Sequence, residues 1–226
     1  MIDGVQQSAL ESQGYLVIRG LLSEEACLEI RQCYGEDTLF RSTVDMARYR
    51  FGQGQYRYFG YPLPKRVAEL RKVFYPKLAP VANRWSELLN EDKTFPSNLR
   101  AFLAACKAQG QERPTPLLLR YGAGDYNCLH QDLYGSCVFP LQLVCLLSEP
   151  GREFEGGELV LTEQRPRAQS RPHVVPLRQG DAAIIATHHF PRAGSRGAYR
   201  AALRHGVSEV RRGQRFTLGI IFHDAA

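Results

Sequence analysis

RYGAGDYNCLHQD, residues 120–132, runs from a glycine-rich turn into His130-Gln131-Asp132. Residues 127–133 read as a strand, and on a strand residues two apart point to the same side, so His130 and Asp132 can face one interior. From Pro114 onward the pattern of this stretch recurs. Eight strand candidates follow one another: 116–121, 127–133, 139–147, 157–163, 172–177, 181–187, 201–210 and 215–223. They are short, rich in Val, Leu, Ile and Phe, and separated by Gly, Pro and Ser clusters. That spacing suits a double-sheet jelly roll.

Upstream the pattern is mainly helical. Gly14 to Gly20 reads as a short strand between glycines. Ser23 is placed to cap a helix through Tyr34, with Glu24 and Glu25 near its positive end. Pro64 suits the first turn of a helix from Lys65. Pro76 and Pro80 predict that it divides into two shorter helices or kinks. Ser97 is a candidate cap for a further helix, with Leu99, Phe102, Leu103 and Cys106 on one apolar face. The predicted fold class is therefore α+β: a jelly-roll core with N-terminal helices packed on one sheet. A single domain is expected over 1–226, with 1–113 as mainly helical support and 114–226 as the core.

His205 lies in the seventh strand candidate. If the second and seventh strands are neighbours, it joins His130 and Asp132. Two imidazoles and one carboxylate can hold iron(II) on one face and leave other positions open for co-substrate and O2. An H-x-D pair alone specifies little; His205 and Arg215 give it weight. Arg215 and Thr217 share a strand face, where a guanidinium grips a carboxylate with two hydrogen bonds and a hydroxyl adds a third. A buried charge makes sense only with a partner, and the partner would be the far carboxylate of 2-oxoglutarate. The Tyr121 phenol could donate to that same carboxylate. The plainer alternatives are a surface arginine on an edge strand and a core tyrosine satisfied elsewhere. His188 or His189 could replace His205 as a ligand, and His223 reads as structural.

The bulk numbers are those of a globular chain: 226 residues, 44% hydrophobic, 23% charged. No apolar run approaches the ~20 residues of a membrane helix. MIDGVQQSALESQ has no basic patch before an apolar core, so no signal peptide is expected. Cys27, Cys33, Cys106, Cys128, Cys137 and Cys145 form no C-x-x-C pair and read as reduced thiols in a cytoplasmic protein, with Cys128 a small packing residue or, as the alternative, an oxidation-sensitive one. The net charge of +6 is compatible with an anionic partner such as nucleic acid. No obligate protein partner and no membrane association are expected.

Three segments could meet such a partner. Residues 41–61 alternate aromatic and basic side chains and form a candidate lid, in which Arg48, Tyr49, Arg50, Tyr56 and Tyr58 could stack on bases and neutralise phosphates. Arg165, Arg167 and Arg171 form a second basic loop. His188, His189, Arg192, Arg196 and Arg200 line a third. Ordinary solvated, arginine-rich loops would look the same.

The stretch from Tyr121 to Asp132 resembles the Y-x-x-G…H-x-D segment of prolyl 4-hydroxylase-like oxygenases. Glu155-Gly156-Gly157-Glu158-Leu159 resembles their G-G-E turn, and His205, Val210, Gly213 and Arg215 match their H-x4-V-x2-G-x-[KR] pattern. RYGAGDYNCLHQD, LSEPG, GGELVLTEQRPR, LRHGVS and GIIFHDAA bring the chain closest to a bacterial family of 2-oxoglutarate/iron oxygenases predicted to act on nucleic acid. The resemblance implies a double-stranded β-helix, Fe(II), 2-oxoglutarate and O2, and hydroxylation or oxidative demethylation of alkylated nucleobases. A prolyl-type protein hydroxylase or a small-molecule hydroxylase is the alternative, and a catalytically silent binding module is a third. AlkB-type dealkylases carry Asn-x-Tyr ahead of H-x-D. Here Leu119 stands in place of that asparagine, so the likeness to them is one of chemistry.

Overall fold

The computed structural model describes residues 4–195 and 197–226. Arg196, named above among the basic residues, lies outside them. In chain order the elements are α1 (Gly4–Gln13), β1 (Tyr15–Ile18), α2 (Glu24–Gln32), β2 (Phe40–Asp45), β3 (Gly52–Gln53), β4 (Gln55–Phe59), α3 (Lys65–Leu88), α4 (Leu99–Ala108), β5 (Leu117–Tyr121), β6 (Tyr126–His130), β7 (Leu141–Leu146), β8 (Phe154–Gly156), β9 (Leu159–Gln164), β10 (Arg171–Val175), β11 (Ala182–Ala186), β12 (His189–Gly194), β13 (Gly197–Val207), β14 (Val210–Gly213) and β15 (Arg215–Ile221).

Two antiparallel sheets carry the fold. The larger has the order β1-β11-β7-β15-β5-β4-β2, and the smaller runs β10-β9-β13-β6-β3, with β12 also paired to β13. Strands β7, β11 and β15 are buried along their whole length. This explains their unbroken apolar runs: a central strand covered on both faces has no reason to alternate. Helix α3 lies on the outer face of the larger sheet, where Tyr75 meets Phe139 and Phe222 at 5.0 and 6.1 Å between ring centroids. Leu118, Leu143, Leu218 and Ile220 are fully buried in the same cluster. Each such side chain stabilises the fold by roughly 1.5–3 kcal/mol through burial.

Several expectations are corrected. Helix α3 runs unbroken for 24 residues through Pro76 and Pro80. The two prolines are four apart and so lie on one face, and that face is exposed. The carbonyls of Lys72 and Pro76, which lose their partners, can therefore turn to water. Asn98, not Ser97, caps α4, its side chain accepting from the Ala101 N–H at 2.9 Å. Residues 41–61, the candidate lid, contain three strands. Strands β2 and β4 are paired at the edge of the larger sheet, and β3 pairs with β6. Residues 189–194, expected as loop, form β12 on one edge of β13, where Pro191 is tolerated because an edge strand has a free side. All six cysteines are free thiols, and Cys128 is exposed rather than packed.

Candidate active site

Between the sheets lies a cavity of about 360 Å³. Alternate residues of three strands of the larger sheet form one wall: Leu117, Leu119 and Tyr121, then Gln142 and Val144, then Arg215, Thr217 and Gly219. The period of two in β-strands sends their neighbours to the helical side. Strands β6, β9 and β13 form the opposite wall with Asn127, His130, Leu159, His205 and Val207. The six residues predicted from the sequence to bind metal or co-substrate thus face one space.

His130 and His205 are register partners on β6 and β13. Their rings lie 4.2 Å apart between centroids. The two strands come this close because position 206 is glycine: a Cβ there would sit 2.6 Å from the Asn127 carbonyl oxygen. Strand β6 ends at His130, so Asp132 is two residues beyond the strand rather than within it. Gln131 steers this exit, its Nε2 donating to the carbonyls of His188 at 2.8 Å and Leu203 at 2.9 Å. The turn is thereby tied to the strand that carries His205.

The donor atoms converge. His205 Nε2 is 3.2 Å from Asp132 Oδ2, and His130 Nε2 is 3.6 Å from Asp132 Oδ1. One donor atom from each of the three residues lies within 4.8 Å of the others. His130 Nδ1 is 2.8 Å from the Cys128 carbonyl. That contact makes Nδ1 the protonated nitrogen and leaves the Nε2 lone pair facing the carboxylate. Burial, then the neighbouring His205, lowers the His130 imidazole pKa. Burial alone would raise the Asp132 carboxyl, but hydrogen bonding and attraction to His205, helped by His130 and Tyr134, hold it below the usual carboxylate range. A neutral imidazole and an ionised carboxylate are the states in which these groups bind a metal. The set fits iron(II).

Arg215 is 1% exposed. It donates from Nη1 to Thr217 Oγ1, its Nε has no partner, and it has no carboxylate within 4.0 Å among the described residues. Its guanidinium carbon lies 5.4 Å from the Tyr121 ring centroid. Burial pulls its pKa down to about 10, against the pull of Tyr121 and Glu158. Position 157 has no room for a side chain, since a Cβ would approach Arg215 Cδ to 2.9 Å. Tyr121 is fully buried, and its oxygen accepts from Asn127 Nδ2 at 3.3 Å, leaving its own proton free to donate. A buried cation flanked by two hydroxyls and lacking an anion is a fitting seat for a ligand carboxylate.

The other predicted residues divide. Arg50 and Tyr56 line the cavity. Tyr49, 60% exposed, stacks on Phe51 at its edge with 5.5 Å between centroids. Arg48 is exposed beside them. Tyr58 is buried and bonds to Tyr134, so it is not a surface platform. Arg165 is held by Glu163 at 2.7 Å, and neither it nor Arg167 lines the cavity. His188 and His189 lie in a separate hollow, with His189 Nε2 2.8 Å from Glu91, and do not replace His205. His223 is buried, its Nδ1 accepting from the Phe139 N–H at 3.2 Å. Sequence reasoning missed Tyr134, Gln131 and Phe51; only proximity to His130-Gln131-Asp132 or to the aromatic run could have flagged them.

Comparisons agree with this geometry. Residues 54–225 match the model of the Oxygenase-NA family, described as an oxygenase catalysing oxidative methylation of damaged DNA. Two uncharacterized proteins of Mycobacterium tuberculosis, from strains CDC 1551 and H37Rv, are each 47% identical over 168 residues, which is 74% of this chain and 72% of theirs. A Pseudomonas putida prolyl-4-hydroxylase superposes with a TM-score of 0.56 at 15% identity, covering 97% of both chains. A Burkholderia pseudomallei oxidoreductase of the 2OG-Fe(II) oxygenase family gives 0.55 at 16%, covering 97% of this chain and 91% of that one. At such identities the two structures share a fold with this chain.

Proposed function

The chain belongs to the Oxygenase-NA family, and from that premise we propose that its cavity uses Fe(II), 2-oxoglutarate and O2 to oxidise an alkyl group on a nucleobase. One observation carries the reading: the His130–Asp132 pair, His205 and Arg215, drawn from separate strands, line a single cavity. The two antiparallel sheets around it are read as the double-stranded β-helix of such enzymes.

His130, Asp132 and His205 would hold the iron, with three protein donors leaving positions for co-substrate and O2. Arg215, Thr217 and Tyr121 would hold the far carboxylate of 2-oxoglutarate. When bound, iron and 2-oxoglutarate supply O2 activation coupled to decarboxylation, giving succinate, CO2 and a hydroxylated C–H bond. The chain supplies orientation and dryness. Leu117, Leu119, Val144, Leu159 and Val207 surround the donors with apolar surface that keeps bulk water away. A hydroxylated N-methyl carbon leaves as formaldehyde, so such a site removes a methyl group from a damaged base rather than adding one.

At the mouth, Arg48 and Arg50 are exposed and have no ion-pair partner among the described residues. They alternate along the chain with Tyr49 and Phe51, whose rings stack on each other. Unpaired guanidiniums beside exposed aromatic faces suit phosphates beside bases. The family description names damaged DNA and does not favour the protein- or small-molecule-hydroxylase alternative.

The test is formaldehyde release from N-methylated single- and double-stranded oligonucleotides with Fe(II) and 2-oxoglutarate. Formaldehyde and succinate in equal amounts are expected. No product from any alkylated base, with uncoupled 2-oxoglutarate turnover intact, would overturn the substrate. A 16 Da gain on a peptide would move the enzyme to protein hydroxylation. No 2-oxoglutarate consumption would overturn the class.

A further inference from the structure

A chain of hydroxyls ends on the Asp132 carboxylate. Tyr134 Oη lies 2.7 Å from Asp132 Oδ1, and Tyr58 Oη lies 2.8 Å from Tyr134 Oη. An ionised carboxylate only accepts, so Tyr134 must donate to it. The Tyr134 oxygen is then free to accept from Tyr58. Both protons therefore point toward Asp132, and each bond polarises the next. The two tyrosine rings meet edge to face at 6.0 Å and 88°.

The loop bearing Tyr134 is fixed from a second direction. Gln111 is buried, and its Nε2 donates to the Tyr134 carbonyl at 3.0 Å and to the Cys137 carbonyl at 3.1 Å. Its Oε1 accepts from the Cys137 N–H at 2.7 Å. Tyr58 is held by β4 in the larger sheet, and Asp132 leaves β6 in the smaller one. The relay thus ties the carboxylate, which leaves a strand of the smaller sheet, to a strand of the larger one.

We infer that Tyr134 is a positioning residue for the metal-holding carboxylate, with Tyr58 orienting its hydroxyl. Tyr134 occupies Oδ1 and leaves Oδ2, the oxygen nearer His205, for the ion. This rests on the metal reading above and adds a residue to it. Partners that orient metal ligands typically contribute 10–100-fold in affinity.

The test uses Mn(II) alone, titrated into the metal-free chain and followed by electron paramagnetic resonance, so no turnover is needed. Tyr134→Phe keeps the ring and removes the hydroxyl. It is expected to weaken Mn(II) binding by at least about ten-fold and to broaden the signal of the bound ion while the thermal midpoint stays near that of the parent. Tyr58→Phe is expected to weaken binding less, and to add nothing in the Tyr134→Phe background. Parental affinity and signal in Tyr134→Phe would overturn the inference, whatever its stability. Should that variant not fold, Tyr58→Phe carries the test, and unchanged affinity there overturns the relay. Absence of Mn(II) binding by the parent chain would instead overturn the metal reading.

Discussion

Among the described residues two arginines are buried, each 1% exposed, and they are held in opposite ways. Arg71 on α3 meets an anion of its own chain: Asp224 Oδ1 at 2.6 Å, with the Phe222 carbonyl at 2.7 Å and the Tyr61 hydroxyl at 2.8 Å. Arg215 on β15 meets a hydroxyl and two ring faces, and no carboxylate among the described residues. The first pins the C-terminal segment to a helix and has its counter-charge once the chain has folded, although its Nε, like that of Arg215, has no partner. The second remains incomplete after folding. A buried cation that lacks an anion within its own fold points to a ligand, whereas a paired one points only to architecture.

The contrast can be broken by substitution. Arg71→Met strands Asp224 without its counter-charge and is expected to cost about 3–5 kcal/mol of stability, read by urea denaturation. Arg215→Met is expected to leave stability level or raised, because it removes an unpaired charge. It should raise the KM for 2-oxoglutarate by about 100-fold, the scale of losing one side of a buried charged pair. Equal destabilisation by both variants would erase the distinction.

Acid sharpens it. Burial holds the His223 imidazole down at about 4, from an ordinary 6.5. With its folded value depressed, it contributes stability fully present above pH 6.5 and lost as the pH falls through 4. The loss is up to roughly 3 kcal/mol. His223→Asn should flatten that slope without touching 2-oxoglutarate affinity. If the slope survives, the acid sensitivity belongs to the cavity and not to the C-terminal corner.

Ligand linkage gives a further separation. Mn(II) with an inert 2-oxoglutarate analogue at 100 times its Kd should stabilise the parent by about 2.7 kcal/mol. Arg215→Met should lose the analogue's share of that gain, and His223→Asn should keep it. The smallest effects are at the rim. Phe51→Ala should lower kcat/KM on an alkylated oligonucleotide about ten-fold, one stacked base's worth, with uncoupled turnover unchanged. Arg165→Ala, already engaged by Glu163, should change it less than about two-fold. A larger loss there would extend the interface to the β9–β10 loop.

The residues of the candidate site were more legible than the scaffold around them. His130 and Asp132 stand out by their H-x-D spacing and Arg215 and Thr217 by their strand period, whereas His205 joins them only through the pairing of two distant strands. Helix α3 was not legible as one element, because the cost of Pro76 and Pro80 depends on which face meets water. Strands β2 and β4 were obscured by polar and aromatic residues that suit a half-buried sheet edge. Strand β12 was hidden by Pro191. Tyr58 and Tyr134 are 76 residues apart, and no local pattern signals that two hydroxyls will meet. Arg71 is one of several charges along a long helix, and its burial is decided by Asp224 at the far end of the chain.

The absent side chain at position 206 sets the gap between the two imidazoles. With 2.6 Å between an added Cβ and the Asn127 oxygen, even alanine would wedge β6 from β13 and carry His130 away from His205. A residue with no reactive atom therefore gauges the width of the proposed iron seat. Saturation mutagenesis should find it as intolerant as the histidine that precedes it.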